Sequence, residues 1–278
     1  MAKPNYIELG DGTRIPILYE DRATLAIDKP AGWLLVPAHW RQTSRNLQAA
    51  IESDLFTRAF WARARNLQFL RYVHRLDAET SGVLLMAKSH GALSVLSQMF
   101  EARAVEKRYL AVVRGRPAEP AWACRLPLAS DPERPDSARV DPHGGKPAET
   151  VFRMIASRLD AKWGELTLLE ARPLTGRTHQ IRVHLAAGGN PVLGDTAYAT
   201  APNRSAPPEA LPRARTQPGR TPARKSASPT AAARPLTMAL RSVALAYTDP
   251  FTQRRVRIAA PWHEFVAGYG FAGVDFTL

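Results

Sequence analysis

Apolar residues alternate with polar ones, or run together in short blocks, over most of this chain, and a helical period governs only a few stretches. Ile15–Tyr19 and Thr24–Asp28 read as two short strands separated by Glu20-Asp21-Arg22, with Lys29-Pro30-Ala31-Gly32 closing the second in a turn. Residues 44–70 place apolar side chains at helical spacing and predict one or two helices. Gly82–Ala87 predicts a buried strand. His90–Arg103 then sets Leu93, Leu96, Met99 and Phe100 on one helical stripe. Glu106–Val113, Val151–Ser157 and Glu165–Ala171 predict further strands, and residues 238–259 a hairpin turning at Asp249-Pro250. Strands outnumber helices and the links between them are short. The expected class is α+β, a mixed, mostly antiparallel sheet flanked by helices and loops.

Composition narrows this picture. With 278 residues and 45% hydrophobic content the chain can bury a substantial core. Residues 1–15 lack the apolar segment of a signal peptide, and no apolar run reaches roughly 18 residues, so no membrane span is expected. The single cysteine, Cys124, lies beside Trp122 and is read as ordinary packing. No His/Cys cluster has metal-ligand spacing, and the expected setting is the reducing cytoplasm. The net charge of +13 suggests a polyanionic partner, but its distribution is uneven. Residues 201–235 contain six Arg, Lys225 and one acid, Glu209, and so carry +6 of that charge. That segment has eight Pro and no aromatic, and is expected to be a disordered basic insert, either a solvated loop or an electrostatic tether for RNA.

Three segments carry candidate chemistry. In HRLDAETSG (74–82), Asp77 stands where loop becomes strand. It is either a turn cap toward the Thr80 and Ser81 N–H groups or a reactive carboxylate held above a rigid sheet. In KRYLA (107–111), Lys107, Tyr109 and Ala111 share one face of a strand, and Tyr109 is either a core tyrosine or a stacking platform for a base. In LTGRTHQIRVHL (174–185), Thr178, Ile181, Arg182 and Leu185 fall at helical spacing, with Thr175 or Thr178 as the expected cap. This segment is either a solvated helix face or a half-buried one. A partly buried arginine calls for a carboxylate or phosphate partner.

Together, HRLDAETSG, KRYLAV and TGRTHQIRVHLA closely resemble the hallmark motifs of the RluA-type pseudouridine synthases. Residues 17–33 resemble that family's opening strand pair and Lys-Pro turn, NPVLGDTAYA (190–199) its Gly-Asp segment, and residues 239–261 its closing hairpin. The resemblance implies the pseudouridine synthase fold over residues 15–200 and 236–278, with residues 1–14 as an N-terminal extension; many relatives carry an S4-type RNA-binding module there, and none is expected here because the pattern begins by about residue 15. It implies an isomerase acting on uridine in ribosomal or transfer RNA. Asp77 would be the catalytic carboxylate, Tyr109 the aromatic under the uracil and Arg182 the basic partner of Asp77. Arg75 would help displace the flipped nucleotide, while Lys107 and Arg177 would touch phosphate. His74 and His179 match motif positions without an assigned step, and Lys29 and Pro30 are expected to be structural.

Pseudouridine formation breaks the bond from uracil N1 to ribose C1′, turns the base and joins C1′ to C5. Nothing is oxidised or added, so no cofactor or metal is expected, and a monomer suffices. Positive charge develops at the anomeric carbon, as in glycoside cleavage, which suits a carboxylate. That carboxylate attacks, stabilises the sugar cation or removes a ribose proton. A water-poor pocket would need a cation beside the anion. Two rivals remain on the sequence: a non-catalytic RNA-binding relative and a glycosyl-transferring enzyme acting on free nucleosides.

Overall fold

Two buried runs far apart in the chain, residues 83–87 and 238–247, lie near each other in the middle of the sheet. The computed structural model describes residues 3–35, 45–134, 136–199 and 237–277. Strands β1 (Tyr6–Glu8), β2 (Arg14–Glu20) and β3 (Thr24–Lys29) lead to helices α1 (Leu47–Phe56) and α2 (Phe60–Arg63). Next come β4 (Arg71–Tyr72), β5 (Ser81–Ala87), α3 (His90–Glu101) and β6 (Glu106–Arg114). They are followed by β7 (Ala121–Cys124), β8 (Leu128–Ser130), β9 (Ala138–Val140), β10 (Thr150–Asp160), β11 (Gly164–Pro173) and α4 (Gln180–Ala187). The last described elements are β12 (Leu240–Thr248), β13 (Arg255–Ala259) and α5 (His263–Gly268).

Eleven strands form one sheet in the order β1-β2-β3-β5-β12-β6-β11-β10-β7, with β13 added to β12 and β4 to β5; β8 and β9 pair separately. All pairings are antiparallel except β12 on β5. The mixed, mostly antiparallel α+β architecture therefore matches the reading of the sequence. The central position of β12 joins two halves of the chain, β1 to β5 on one side and β6 to β11 on the other. Its parallel contact with β5 is possible because Gly82, at φ +110°, has no Cβ; one added there would stand 2.0 Å from the Ser242 carbonyl oxygen. Gly82→Ala should destabilise the protein by at least ~2 kcal/mol, through backbone strain and forced separation of two central strands. A thermal melt indistinguishable from wild type would show that β5 and β12 part easily.

The helical stripe on α3 forms as expected: Leu96 is buried, Leu93, Met99 and Phe100 pack partly against β5 and its neighbours, and Ser89 caps the helix by accepting from Ala92 N–H at 3.1 Å. The hairpin turn is fixed by the Asp249 carboxylate, which accepts from Phe251 N–H at 3.0 Å. Cys124 is a free thiol packed partly against the main core. Differences lie in extent. The N-terminal extension contributes β1 to the sheet edge, β10 and β11 run longer than their apolar centres suggest, and the short β7, β8 and β9 were not anticipated. The segment expected to be a disordered insert, residues 201–235, lies outside the described residues. Among the described residues, no helix is long and apolar enough to cross a membrane, and no group of three or more His, Cys, Asp or Glu is placed to hold a metal ion.

Candidate active site

Asp77 sits in the loop that enters β5, Tyr109 in the middle of β6, and Arg182 in the first turn of α4. Because β12 is the strand lying between β5 and β6, and β11 lies beside β6 before leading to α4, the topology gathers all three at one end of the sheet. A cleft of about 550 Å³ opens there, within the range of about 300–1,000 Å³ usual for ligand sites. It is lined by Asp77, Tyr109 and Arg182, and also by Arg75, Lys107 and Arg177, so every candidate named from the sequence reaches one cavity. In its lining Arg75, Arg103, Lys107, Arg177 and Arg182 outnumber the acids Asp77 and Glu101, which leaves the cleft positive. Such a cavity suits an anionic chain that must bury one unit.

The turn under Asp77 is closed by backbone, Thr80 N–H donating to the Asp77 carbonyl at 3.1 Å. The carboxylate is thus not a turn cap. Instead its Oδ2 accepts from Arg182 Nη1 at 3.0 Å, across 105 residues of sequence. Below the loop lies Lys29, fully buried, whose Nζ donates to the carbonyls of Pro30 (3.0 Å), Ala78 (2.8 Å) and Thr80 (2.9 Å). Burial draws this ammonium down to about 8, with the charges of Asp77 and Glu79 opposing. At neutral pH it therefore keeps all three protons and ties β3 to the Asp77 loop.

Arg182 has a second partner that sequence reasoning missed. Asp195, whose side chain is wholly buried, accepts from Arg182 Nε at 2.7 Å and Nη2 at 2.9 Å, and from Ala197 and Tyr198 N–H at 2.9 and 3.2 Å. Burial alone would lower the guanidinium, but the hydrogen bonds and charges of Asp195 and Asp77 raise it above its ordinary value. Burial likewise pushes Asp195 up, and the Arg182 contacts outweigh it, so Asp195 is held low. One guanidinium thus bridges two carboxylates, leaving Nη1 directed at Asp77. The clue in the sequence was an acid set within the otherwise apolar Val192-Leu193-Gly194-Asp195, in the segment already matched to the family.

Tyr109 is buried in the core apart from an edge at the cleft. Burial first, and the nearby Asp77 charge second, push its phenol up, so the ring stays neutral. The alternation read along β6 holds: Lys107 and Tyr109 face the cleft, whereas Arg108 faces away and donates to Glu170 at 2.5 Å. Lys107 donates to the Thr175 carbonyl at 3.3 Å, and burial, with Arg103 nearby, draws it down to about 8. Arg75 is exposed at the rim. Arg177 is held by the Pro147 carbonyl at 3.1 Å.

The cap of α4 differs from expectation. Thr178 lies outside the helix, and His179 occupies the cap position at φ +51° without a side-chain cap bond. Thr175 donates instead to Gln180 Oε1 at 2.7 Å, which also accepts from Arg177 N–H at 3.0 Å. Gln180 Nε2 donates to the Glu149 carbonyl and to Thr150 Oγ1, both at 2.9 Å. A buried amide with all four bonds satisfied thus replaces a hydroxyl cap and fixes the register of Arg182. His74 is structural: it stacks on Phe100 and its Nε2 accepts from Leu85 N–H at 3.1 Å, while burial and Lys107 draw it down to about 3.

The fold places a positive cleft at one end of a mixed sheet, with a carboxylate and a guanidinium paired inside it. Residues 23–187 match the family described as RNA pseudouridylate synthase. The dual-specificity RNA pseudouridine synthase RluA of Escherichia coli strain K12 is 34% identical over 196 residues, covering 70% of this chain and 82% of that protein. Ribosomal large subunit pseudouridine synthase C of Vibrio vulnificus is 39% identical over 182 residues, which are 66% of this chain and 52% of that protein. The solved structure of human RNA pseudouridylate synthase domain containing 1 superimposes with a TM-score of 0.62 at 25% identity, over 89% of this chain and 83% of that one. The chain belongs to the RNA pseudouridylate synthase family, isomerases that convert uridine in RNA to pseudouridine.

Proposed function

We propose that this chain isomerises specific uridines in structured ribosomal or transfer RNA, acting as a monomer in the cytoplasm without metal or cofactor, and that Asp77 carries the reaction. The observation that supports this most is the 3.0 Å contact between Arg182 Nη1 and Asp77 Oδ2 in a positive cleft floored by Tyr109. The uridine is turned out of its stack into the cleft, where the Tyr109 ring supports the uracil and Arg75 occupies the space it leaves. Lys107 and Arg177 meet the flanking phosphates.

The carboxylate then faces C1′ as the bond to N1 breaks and positive charge grows on the sugar. Uracil leaves as a delocalised anion and is retained, so no second acid is needed to expel it. Rotation presents C5 to C1′; the new carbon–carbon bond forms, the C5 proton is lost and N1 gains one. RNA labelled with tritium at uridine C5 should therefore release tritium to water in proportion to the pseudouridine formed. Conversion of free uridine with no release from RNA would replace this reading with a nucleoside-level glycosyl transfer. RNA binding without release from any ribosomal or transfer RNA would reduce the chain to a binding protein.

A further inference from the structure

The two oxygens of Asp77 are not equivalent. Oδ2 is committed to Arg182, whereas Oδ1 accepts no hydrogen bond among the described residues and is faced by His179 Nε2 at 3.8 Å. That distance is too long for a hydrogen bond and short enough to become one when substrate closes the site. What His179 presents there depends on its other nitrogen. Nδ1 lies 2.8 Å from the Tyr198 hydroxyl. The Tyr198 oxygen accepts from the buried Ala138 N–H at 2.9 Å, a group that can only donate. Among the described residues His179 Nδ1 is the acceptor within hydrogen-bond distance of the Tyr198 hydroxyl, so Tyr198 turns its own proton to it. The imidazole proton is thereby assigned to Nε2, pointing at Asp77.

We infer that His179 is a positioning residue of the reaction, its tautomer set by Tyr198, and that its Nε2–H holds Asp77 Oδ1 toward the ribose while Arg182 holds Oδ2. Oδ1 is then the oxygen that meets C1′. The inference rests on Asp77 being the reacting group. The charged and titratable neighbours agree with a neutral ring. Burial draws His179 below its ordinary value; Arg182 on α4 and Arg75 on the Asp77 loop act in the same sense, while Asp77 and Asp195 oppose.

The competing explanation is that His179 serves only to let the backbone turn at φ +51°, a left-handed conformation. The two roles rank substitutions in opposite order. Asn is at ease in that conformation, whereas Gln is not, but the Gln amide nitrogen reaches the place of Nε2 and the Asn nitrogen does not. Single-turnover rates at saturating enzyme should fall about 100-fold in His179→Ala and His179→Asn, and recover to within about tenfold of wild type in His179→Gln. RNA affinity should stay within about twofold, and melting curves should confirm that each variant folds. The wild-type rate should decline at acid pH as His179 is protonated. Tyr198→Phe should move that decline to higher pH, because nothing then opposes a proton on Nδ1, and His179→Gln should abolish it. Asn equal to or better than Gln, Ala within about threefold of wild type, or an unchanged acid limb in His179→Gln each overturns the inference. Asp77→Asn run alongside separates the two levels: activity in that variant defeats the Asp77 assignment itself, whereas an inactive Asp77→Asn with a fully active His179→Ala defeats only the role of His179.

Discussion

Asp77→Asn should bring tritium release down by about 10⁴-fold or more, with the fold and RNA binding preserved. The amide is the same size and its oxygen can still accept from Arg182 Nη1, so the loop keeps its shape. It has no negative charge to set against the cation that grows at C1′. The usual danger of such a change is a buried guanidinium left without a counter-charge. Here Asp195 supplies that charge through two bonds of its own, at 2.7 and 2.9 Å. Melting should therefore shift by less than about 4 °C. RNA affinity should hold or rise slightly, since an anion facing phosphates has been removed. Product formation near the wild-type rate in Asp77→Asn would remove the carboxylate from the mechanism and leave the cleft without a reactive group.

The parts of this site that could be read from the sequence are those whose chemistry is local. A few neighbouring residues suffice to put Asp77 at a loop-to-strand junction, Tyr109 on an alternating strand and Arg182 on a half-buried helix, whereas the roles expected of them come from the resemblance of their motifs to a known family. The hairpin of β12 and β13 could be read for the same reason, with its acid at the turn. The position of β12 could not, because a strand chooses its neighbours by matching surfaces contributed from more than 100 residues away. Asp195 was missed for a related reason. Its value lies in the shape of the Arg182 fork, which a linear pattern does not display, although an acid beside Val192-Leu193-Gly194 was already anomalous. Lys29 illustrates the converse. The sequence suggests a structural residue, and its three carbonyl contacts tie β3 to the Asp77 loop. The α4 cap misled because Thr175 and Thr178 both suit the role, and the choice of Gln180 instead depends on Glu149 and Thr150 approaching from β10 and the loop before it.

Arg182→Lys should lower turnover by about 10²- to 10³-fold at saturating RNA, with little change in RNA affinity. The substitution keeps the charge and removes the geometry, so it asks which of the two the site needs. Arg182 uses three nitrogens at once: Nε and Nη2 on Asp195, Nη1 on Asp77. A lysine has one nitrogen at the end of a flexible stem and must choose between carboxylates on separate segments of chain. The wholly buried Asp195 is the stronger competitor, since leaving it without a counter-charge costs more than leaving the part-exposed Asp77 without one. Asp77 would then lose its fixed orientation. Asp195→Asn approaches the same arrangement from the other side. It leaves Asp77 as the one carboxylate on Arg182 and cuts the two-bond bridge to at most one bond from the amide oxygen, weakening the fold by about 3–5 kcal/mol as expected for breaking a buried pair and loosening the guanidinium toward the cleft. If orientation matters, both variants lose turnover and combining them costs less than the product of the two losses, because each disrupts the same bridge. If Arg182→Lys retains near-normal turnover, a point charge is sufficient and the bridge to Asp195 is only a feature of stability.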